Sequence, residues 1–237
     1  MTVDYYTKIL DRSRKSLDDL RNDDEKVAAF TSAHNAIKDL ECLEVFLQGR
    51  AEAEMFRLAK IEYQHALYSA SVAQYRQAHV SLRLFFELSL CCILFSAHEI
   101  DMHLWMKDQK DSNWSSIISN ENGVLSKTFS GAFFPEMKEH CEQYRAMAEA
   151  LYRECSQFVH GNRNSFDGID GEMAYSPEIL DAWVDRADTA LRVVKFAFTC
   201  RYLRVSERSQ RDVVEDMMLG DFGDLPPVQA QFEGKEQ

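Results

Sequence analysis

The scarcity of chain-breaking residues is the feature that most constrains the fold of this chain. Only 9 glycines and 4 prolines occur in 237 residues, and residues 52–95 contain neither. A low content of both residue types favours long helices over turn-rich β architecture. Apolar residues recur every three or four positions in several segments, which is the spacing of an amphipathic helix. The sequence therefore predicts an all-α fold built as a helical bundle.

Six helical segments are predicted, with approximate bounds at 3–20, 22–47, 52–95, 99–107, 135–160 and 177–203. The segment 52–95 is either one very long helix or two helices that meet near residues 69–71, and we favour a break there. Residues 108–131 are polar with scattered apolar positions, which indicates a connector with one or two short helices. It could equally cover a site or a dimer seam. Ser176 followed by Pro177 is typical of a helix start, with the serine as the N-cap and the proline in the first turn.

Composition and charge limit the classes of function. The formal net charge is -12, whereas proteins that grip nucleic acid over a long surface usually carry a basic excess. Any RNA contact must therefore be local, in a pocket or along a dimer groove. The six cysteines show no C-x-x-C spacing and no secretory signal precedes them, so we expect reduced thiols in a cytoplasmic protein. The most apolar run, 82–95, is too short for a membrane span and is predicted to be a core helix.

Familiar catalytic motifs are missing from the sequence. It contains no H-E-x-x-H, no Walker-type glycine-rich loop, no G-x-S-x-G and no dinucleotide fingerprint, so ATP hydrolysis, serine-hydrolase chemistry and zinc peptidase activity are poorly supported. His98 and His103 are five residues apart, which turns them about 140° from each other on a helix and does not suit one metal ion. We therefore expect neither a metal site nor a cofactor.

Arg153 and His160 form the most suggestive constellation. Residues seven apart on a helix project from nearly the same side, about 20° out of register and roughly 10.5 Å apart along the axis. A guanidinium can hold a phosphate, and an imidazole can give or take a proton near neutral pH. The two residues at this spacing therefore supply a minimal set of groups for cleaving RNA.

This pair, with six residues between its members, resembles the R-x4-6-H signature of the HEPN superfamily. The resemblance covers the arginine, the histidine, their spacing and their place at the end of an amphipathic helix. It implies an all-helical fold and, as in many HEPN proteins, a metal-independent ribonuclease whose two motif helices face each other in a homodimer. Arg153 and His160 would be the catalytic residues. Glu154 departs from the polar residue, often asparagine, that follows the arginine in many active members.

Five further residues are candidates for binding the RNA phosphates. Ser156 lies one turn after Arg153 on a nearby face, and Asn162 and Arg163 follow the end of the motif helix. Arg76 and Arg83 lie on a helix otherwise rich in Leu, Phe and Cys, and one or the other would face the same cleft as His160 and add positive potential.

Each of these readings has a structural alternative. Arg153 could be a surface residue paired with Glu149 or Glu154, while His160 simply ends a helix. Arg83 could pair with Glu87 four residues on, since an unpaired buried charge is costly.

The domain organisation follows from these segments. We expect an N-terminal helical extension over 1–50, a HEPN-like helical domain over 51–219 and a disordered acidic tail over 220–237. The extension would serve oligomerisation or a partner protein.

Two functions of different classes remain open. One is a HEPN-like endoribonuclease effector in bacterial antiphage defence or a toxin–antitoxin system, which would require an antitoxin or a trigger. The other is a catalytically silent HEPN-like interaction subunit that assembles with a separate ATPase, nuclease or nucleotidyltransferase. No membrane association is expected for either.

Overall fold

The structure is a computed structural model that describes residues 2–160 and 173–233, and within them it contains 11 α-helices and no strand. The all-α prediction is confirmed. The helices are α1 (Thr2–Arg21), α2 (Asp24–Leu43), α3 (Ala53–Ser71), α4 (Tyr75–Phe95), α5 (Glu99–Trp105), α6 (Trp114–Ile117), α7 (Lys127–Phe133), α8 (Cys141–His160), α9 (Pro177–Tyr202), α10 (Arg208–Phe222) and α11 (Pro226–Phe232).

Local sequence signals explain several helix ends. The carboxylate of Asp23 accepts a hydrogen bond from the backbone N–H of Lys26 at 3.2 Å and caps α2. Ser176 caps α9 in the same way through the N–H of Ile179 at 3.3 Å, and Pro177 follows it in the first turn. Such caps satisfy backbone donors that have no partner inside the helix. The start predicted for this helix is confirmed.

The predicted break within 52–95 is also present. Helix α3 ends at Ser71 and α4 begins at Tyr75. Between them Ala73 has φ of 57°, in the left-handed region that ends a helix. The backbone N–H of Gln74 donates to the carbonyl of Ser69 at 2.8 Å, which closes the end of α3. The break lets α3 and α4 pack along each other as the most extensive helix pair of the fold.

Helix α4 is the centre of the core. It packs against α3, α8 and α9, and most of its side chains are buried. It is long and apolar enough to cross a membrane by length and composition alone, but 78% of its most apolar window is buried inside the fold. Such burial is what the core helix of a soluble protein shows, in keeping with the prediction for 82–95.

The division at residue 50 does not separate two cores. Ala33, Leu40 and Leu43 of α2 belong to the same hydrophobic cluster as the residues of α4 and α9. Helix α2 packs directly on α9. Of the proposed N-terminal extension, α1 alone lies mostly outside the core, since its buried residues are Ser16 and Leu20.

Two predicted boundaries require correction. The motif helix does not begin at Pro135, because a 3-10 segment (Pro135–His140) precedes α8. The tail from residue 220 is helical rather than disordered as far as the structure describes it. Gly220 lies inside α10, and α11 follows with Val228 fully buried. The prolines that suggested disorder occupy the first turn of α11, where a missing backbone N–H costs nothing.

Candidate functional site

Helix α8 has a buried stripe and an opposite, solvent-facing side. The buried stripe recurs every three or four residues and consists of Cys141, Tyr144, Ala148, Leu151 and Cys155. With 100° of rotation per residue, Arg153 and His160 fall on the side opposite this stripe. Both side chains are exposed. The predicted common face of the two residues therefore exists, and it points away from the core.

Neither Arg153 nor His160 has a hydrogen-bond or ion-pair partner within residues 2–160 and 173–233. Glu149 accepts from Arg145 at 2.8 Å instead. Glu154 accepts from Arg186 of α9 at 2.9 Å. The structure therefore does not show the alternative in which Glu149 or Glu154 pairs with Arg153.

The ion pair of Glu154 also changes how strongly this residue affects anion binding at Arg153. Its carboxylate directly follows Arg153 and, left alone, would weaken the binding of an anion there. The guanidinium of Arg186 forms an ion pair with it at 2.9 Å. A groove of about 400 Å³ between α8 and α9 is lined by Arg186 and Glu154 together with Met147 and Ala182. The acidic residue is thus turned toward α9 and compensated there.

On the other flank of α8, Arg83 is the centre of a closed polar network. Its Nε donates to the hydroxyl of Ser156 at 3.0 Å, and its Nη2 donates to the hydroxyl of Tyr152. The ion pair with Glu87 measures 3.5 Å. Glu87 also accepts from the hydroxyls of Tyr152 at 3.2 Å and Ser112 at 2.7 Å. The predicted pairing of Arg83 with Glu87 is confirmed, and it is one contact among several.

Aromatic rings complete this flank. The ring of Tyr152 is stacked against Trp114 with centroids 3.7 Å apart and planes inclined by 1°. The Arg83 guanidinium lies over the same Tyr152 ring at 4.4 Å. Trp114 and Ser112 both come from the connector 108–131, so this connector covers the seam between α4 and α8. Ser156 and Arg83 together fix the position of the helix that carries Arg153.

Arg76 does not join this network. Arg76 is exposed in the first turn of α4, two turns before Arg83. Asn162 and Arg163 lie outside the residues that the structure describes. Of the seven candidates, the structure brings Arg83 and Ser156 into direct contact and leaves Arg153 and His160 together on the outer face.

Sequence reasoning missed His79, which is buried where α4, α8 and α9 meet. Its ring stacks on Phe158 of α8, with centroids 3.9 Å apart. Nδ1 lies 2.8 Å from the carbonyl of Tyr75, so that nitrogen must carry the proton and donate. Nε2 then accepts from Arg186 at 3.4 Å. Burial, together with the nearby Arg186 charge, lowers the pKa of His79 to about 4 despite the bond to Tyr75.

His79 therefore holds α9 to α8 as a neutral imidazole. In the sequence, the one feature that could have pointed to His79 is its position four residues before Arg83 on an apolar helix face. Its partners are distant in sequence, however, and only the fold brings them together.

The fold and site thus define an all-α protein in which Arg153 and His160 lie on the outer face of α8, without a partner in residues 2–160 and 173–233. No protein-family model, curated protein or solved structure matches this chain. The resemblance to HEPN proteins accordingly rests on Arg153, His160 and the helix that presents them.

Proposed function

We propose that this protein is a HEPN-like, metal-independent endoribonuclease that acts as an effector in bacterial antiphage defence or in a toxin–antitoxin system. One observation carries the proposal. Glu149 and Glu154 are paired with Arg145 and Arg186. Arg153 and His160 are exposed on one face of α8 and have no partner among the residues that the structure describes. An exposed guanidinium and an exposed imidazole two turns apart on the same helix face are available to a phosphodiester.

In this proposal Arg153 binds the scissile phosphate and stabilises the negative charge that develops on it. His160 transfers protons. It either takes the proton of the ribose 2′-hydroxyl, whose oxygen attacks the adjacent phosphorus, or protonates the departing 5′-oxygen. The products are a 2′,3′-cyclic phosphate and a free 5′-hydroxyl. No water and no metal ion enters this step.

A second copy of the chain would complete the cleft. The outer face of α8 is a convex helix surface, and an RNA strand laid on it would remain open to water. Two α8 helices placed face to face would enclose the phosphate between two Arg–His pairs, so that one His160 serves as base and the other as acid. Contact with RNA would be local, as the net charge of -12 requires.

Cleavage of RNA by the purified protein in the presence of EDTA tests this proposal. Arg153→Ala and His160→Ala should each reduce the rate by roughly a hundredfold or more, the usual effect of removing an electrostatic or proton-transfer group. Arg208→Ala is a matched control, since Arg208 is an exposed arginine on α10 that pairs with Asp212. Its activity should equal that of the wild type.

Growth upon induction in a bacterial host provides a second readout. The wild type and Arg208→Ala should arrest growth, and the two motif variants should not. Cleavage that depends on a divalent ion, or products with 5′-phosphate ends, would contradict the proposed mechanism.

The alternative function is a catalytically silent HEPN-like subunit that binds a separate ATPase, nuclease or nucleotidyltransferase. The exposed apolar side chains of Val3, Tyr6 and Leu10 on one side of α1 favour this alternative, because a contiguous exposed apolar patch marks a protein–protein contact. A folded wild type that neither arrests growth nor cuts RNA, but forms a stable complex with such an enzyme, would support it.

A further inference from the structure

Helices α8 and α9 pack against each other in antiparallel directions. Near the start of α8, the ring of Tyr144 stacks on Phe196 late in α9, with centroids 3.6 Å apart and planes inclined by 10°. Toward the other end of α8, Glu154 pairs with Arg186, which lies earlier in α9. These two contacts fix the register of the pair, so the first residues of α8 lie beside the last turns of α9.

This register brings two cysteines together. Cys141 is the first residue of α8 and precedes Tyr144 by about one turn, and Cys200 follows Phe196 by about one turn on α9. Both cysteines are buried. The Cys200 thiol lies close enough to donate a hydrogen bond to the sulfur of Cys141. Two thiols in contact on neighbouring helices are the arrangement from which a disulfide forms.

Cys141 differs from Cys200 because it also lines a cavity. The cavity has a volume of about 320 Å³, and the residues around it are Asn120, Leu125, Lys127, Cys141, Glu142 and Arg145. Lys127 and Glu142 are exposed, so the cavity opens to solvent between them. A small polar molecule that enters the cavity therefore meets the sulfur of Cys141, with the thiol of Cys200 directly behind it.

The surroundings of the two thiols give them different reactivities. The hydrogen bond from Cys200 lowers the pKa of the Cys141 thiol below its ordinary value, and the positive charge of Lys127 acts in the same direction against the effect of burial. Burial raises the pKa of Cys200 well above its ordinary value. Because the thiolate is the nucleophilic form of cysteine, Cys141 is the thiol of this pair that reacts first.

We propose that Cys141 and Cys200 are a redox-active pair, which a hydroperoxide converts into a disulfide that joins the start of α8 to the end of α9. The Cys141 thiolate attacks one oxygen of hydrogen peroxide, the O–O bond breaks, and the departing hydroxide takes up a proton to leave as water. Sulfur loses two electrons and becomes a sulfenic acid. The sulfur of Cys200 then attacks the sulfur of Cys141, the S–O bond breaks, and the hydroxide leaves with the Cys200 proton as a second water.

A reversible disulfide of this kind agrees with a chain whose thiols are otherwise reduced, since disulfides of cytosolic proteins are usually transient. The inference does not rest on the proposed ribonuclease activity, and it needs one copy of the chain.

Peptide mass spectrometry after peroxide treatment tests the pair. The reduced full-length chain is exposed to hydrogen peroxide, free thiols are blocked with a maleimide, and the digest is analysed without reduction. The peptides that contain Cys141 and Cys200 should be linked, and a dithiol reductant should separate them. Cys141 should lose its free thiol roughly tenfold faster than Cys42 or more, since burial raises the pKa of Cys42 although this side chain is the more exposed of the two.

Substitutions separate the roles of the two thiols. Cys200→Ser should leave Cys141 as a sulfenic acid that dimedone traps, whereas Cys141→Ser should leave Cys200 reduced. Cys200→Ala repeats the first test without placing a hydroxyl in the core. Cys42→Ser is the matched control and should form the same linked peptides as the wild type.

Three results would overturn the proposal. The first is oxidation of Cys42 while Cys141 and Cys200 stay reduced. The second is a link that forms only in urea-denatured protein, because it would not arise from the contact in the fold. The third is a link between two chains, detected by mixing isotopically labelled with unlabelled protein before the peroxide is added.

Discussion

The two sides of helix α8 treat their charged residues in opposite ways. On the flank that faces α4, Arg83 is held by Glu87, Tyr152 and Ser156, and each of these groups bonds to another member of the network. On the outer face, Arg153 and His160 are exposed and have no partner in the described parts of the chain. A guanidinium with three internal partners holds helices together. One with none is free to bind a ligand.

The difference teaches how to separate structural from functional cations in an acidic protein. With 39 acidic residues against 27 basic ones, an exposed arginine has many chances to find a carboxylate. A buried cation needs compensating partners more than an exposed one does, since an uncompensated buried charge costs several kcal/mol. Loss of a paired interior cation should therefore reduce stability, and loss of Arg153 should not. The following predictions test that contrast.

Lys195 is the interior cation whose loss should cost the most. It bridges Asp39 of α2 at 2.5 Å and Asp221 of α10 at 2.6 Å from its place on α9. Although burial opposes its charge, the hydrogen bonds to Asp221 and Asp39 keep the pKa of Lys195 raised. Lys195→Ala leaves two carboxylates facing each other and should lower the free energy of unfolding by about 3 kcal/mol, measured by urea denaturation.

Lys195→Met controls for the packing of the aliphatic stem. It should lose nearly as much stability as Lys195→Ala at pH 7, and both deficits should shrink as the pH falls and the carboxylates protonate. Equal stability of Lys195→Met and the wild type at pH 7 would mean that the charge contributes nothing.

His79 should make stability fall on acidification. Its pKa is lowered from 6.5 to about 4 in the folded protein, so between these values the unfolded chain binds the extra proton and the folded protein does not. The stability contributed by neutral His79 is therefore complete above pH 6.5 and is lost as the pH falls toward 4. The loss should reach on the order of 2–3 kcal/mol.

His79→Leu should flatten the pH dependence of unfolding in this window, while its stability at pH 7 falls because Arg186 loses an acceptor. His65→Ala is the control, since the His65 side chain is 61% exposed. It should keep the wild-type slope. An unchanged slope in His79→Leu would show that another group is responsible.

Arg83→Ala should lower the free energy of unfolding by about 2 kcal/mol, because Glu87 stays buried while it loses its cation. Ser112 and Tyr152 still donate to that carboxylate, which limits the loss. Arg76→Ala on the same helix is the control and should change stability by less than about 0.5 kcal/mol. If Arg83→Ala unfolds no more easily than Arg76→Ala, the network does not stabilise the fold.

Arg153→Ala should have the smallest effect on stability, within about 0.5 kcal/mol of the wild type, because Arg153 is exposed and makes no hydrogen bond or ion pair with the described residues. The same variant should reduce the rate of RNA cleavage by roughly a hundredfold or more if the proposed site is correct. Thermal and urea unfolding measured on the preparation used for the cleavage assay would separate the two effects. A large loss of stability would indicate that Arg153 stabilises the fold rather than binding a ligand.

Much of the fold was determined by the sequence itself through local rules. The scarcity of glycine and proline set the helical class, and Asp23 and Ser176 fixed two helix starts through caps within their own segments. The Arg83–Glu87 pair followed from i,i+4 geometry on one helix. The common face of Arg153 and His160 followed from the helical repeat in the same way. The caps, the ion pair and the common face all depend on residues fewer than ten positions apart.

What only the tertiary structure decided depends on contacts between distant segments. Arg186 contacts His79 across 107 positions and Glu154 across 32. Local sequence patterns therefore could not predict that His79 is neutral or that Glu154 is paired. The seven-residue helix α11 is marginal by itself, and its burial of Val228 needs the rest of the fold. Local rules set which face a residue occupies, but the partner that meets that face, or leaves it empty, is set by the packing of the whole chain.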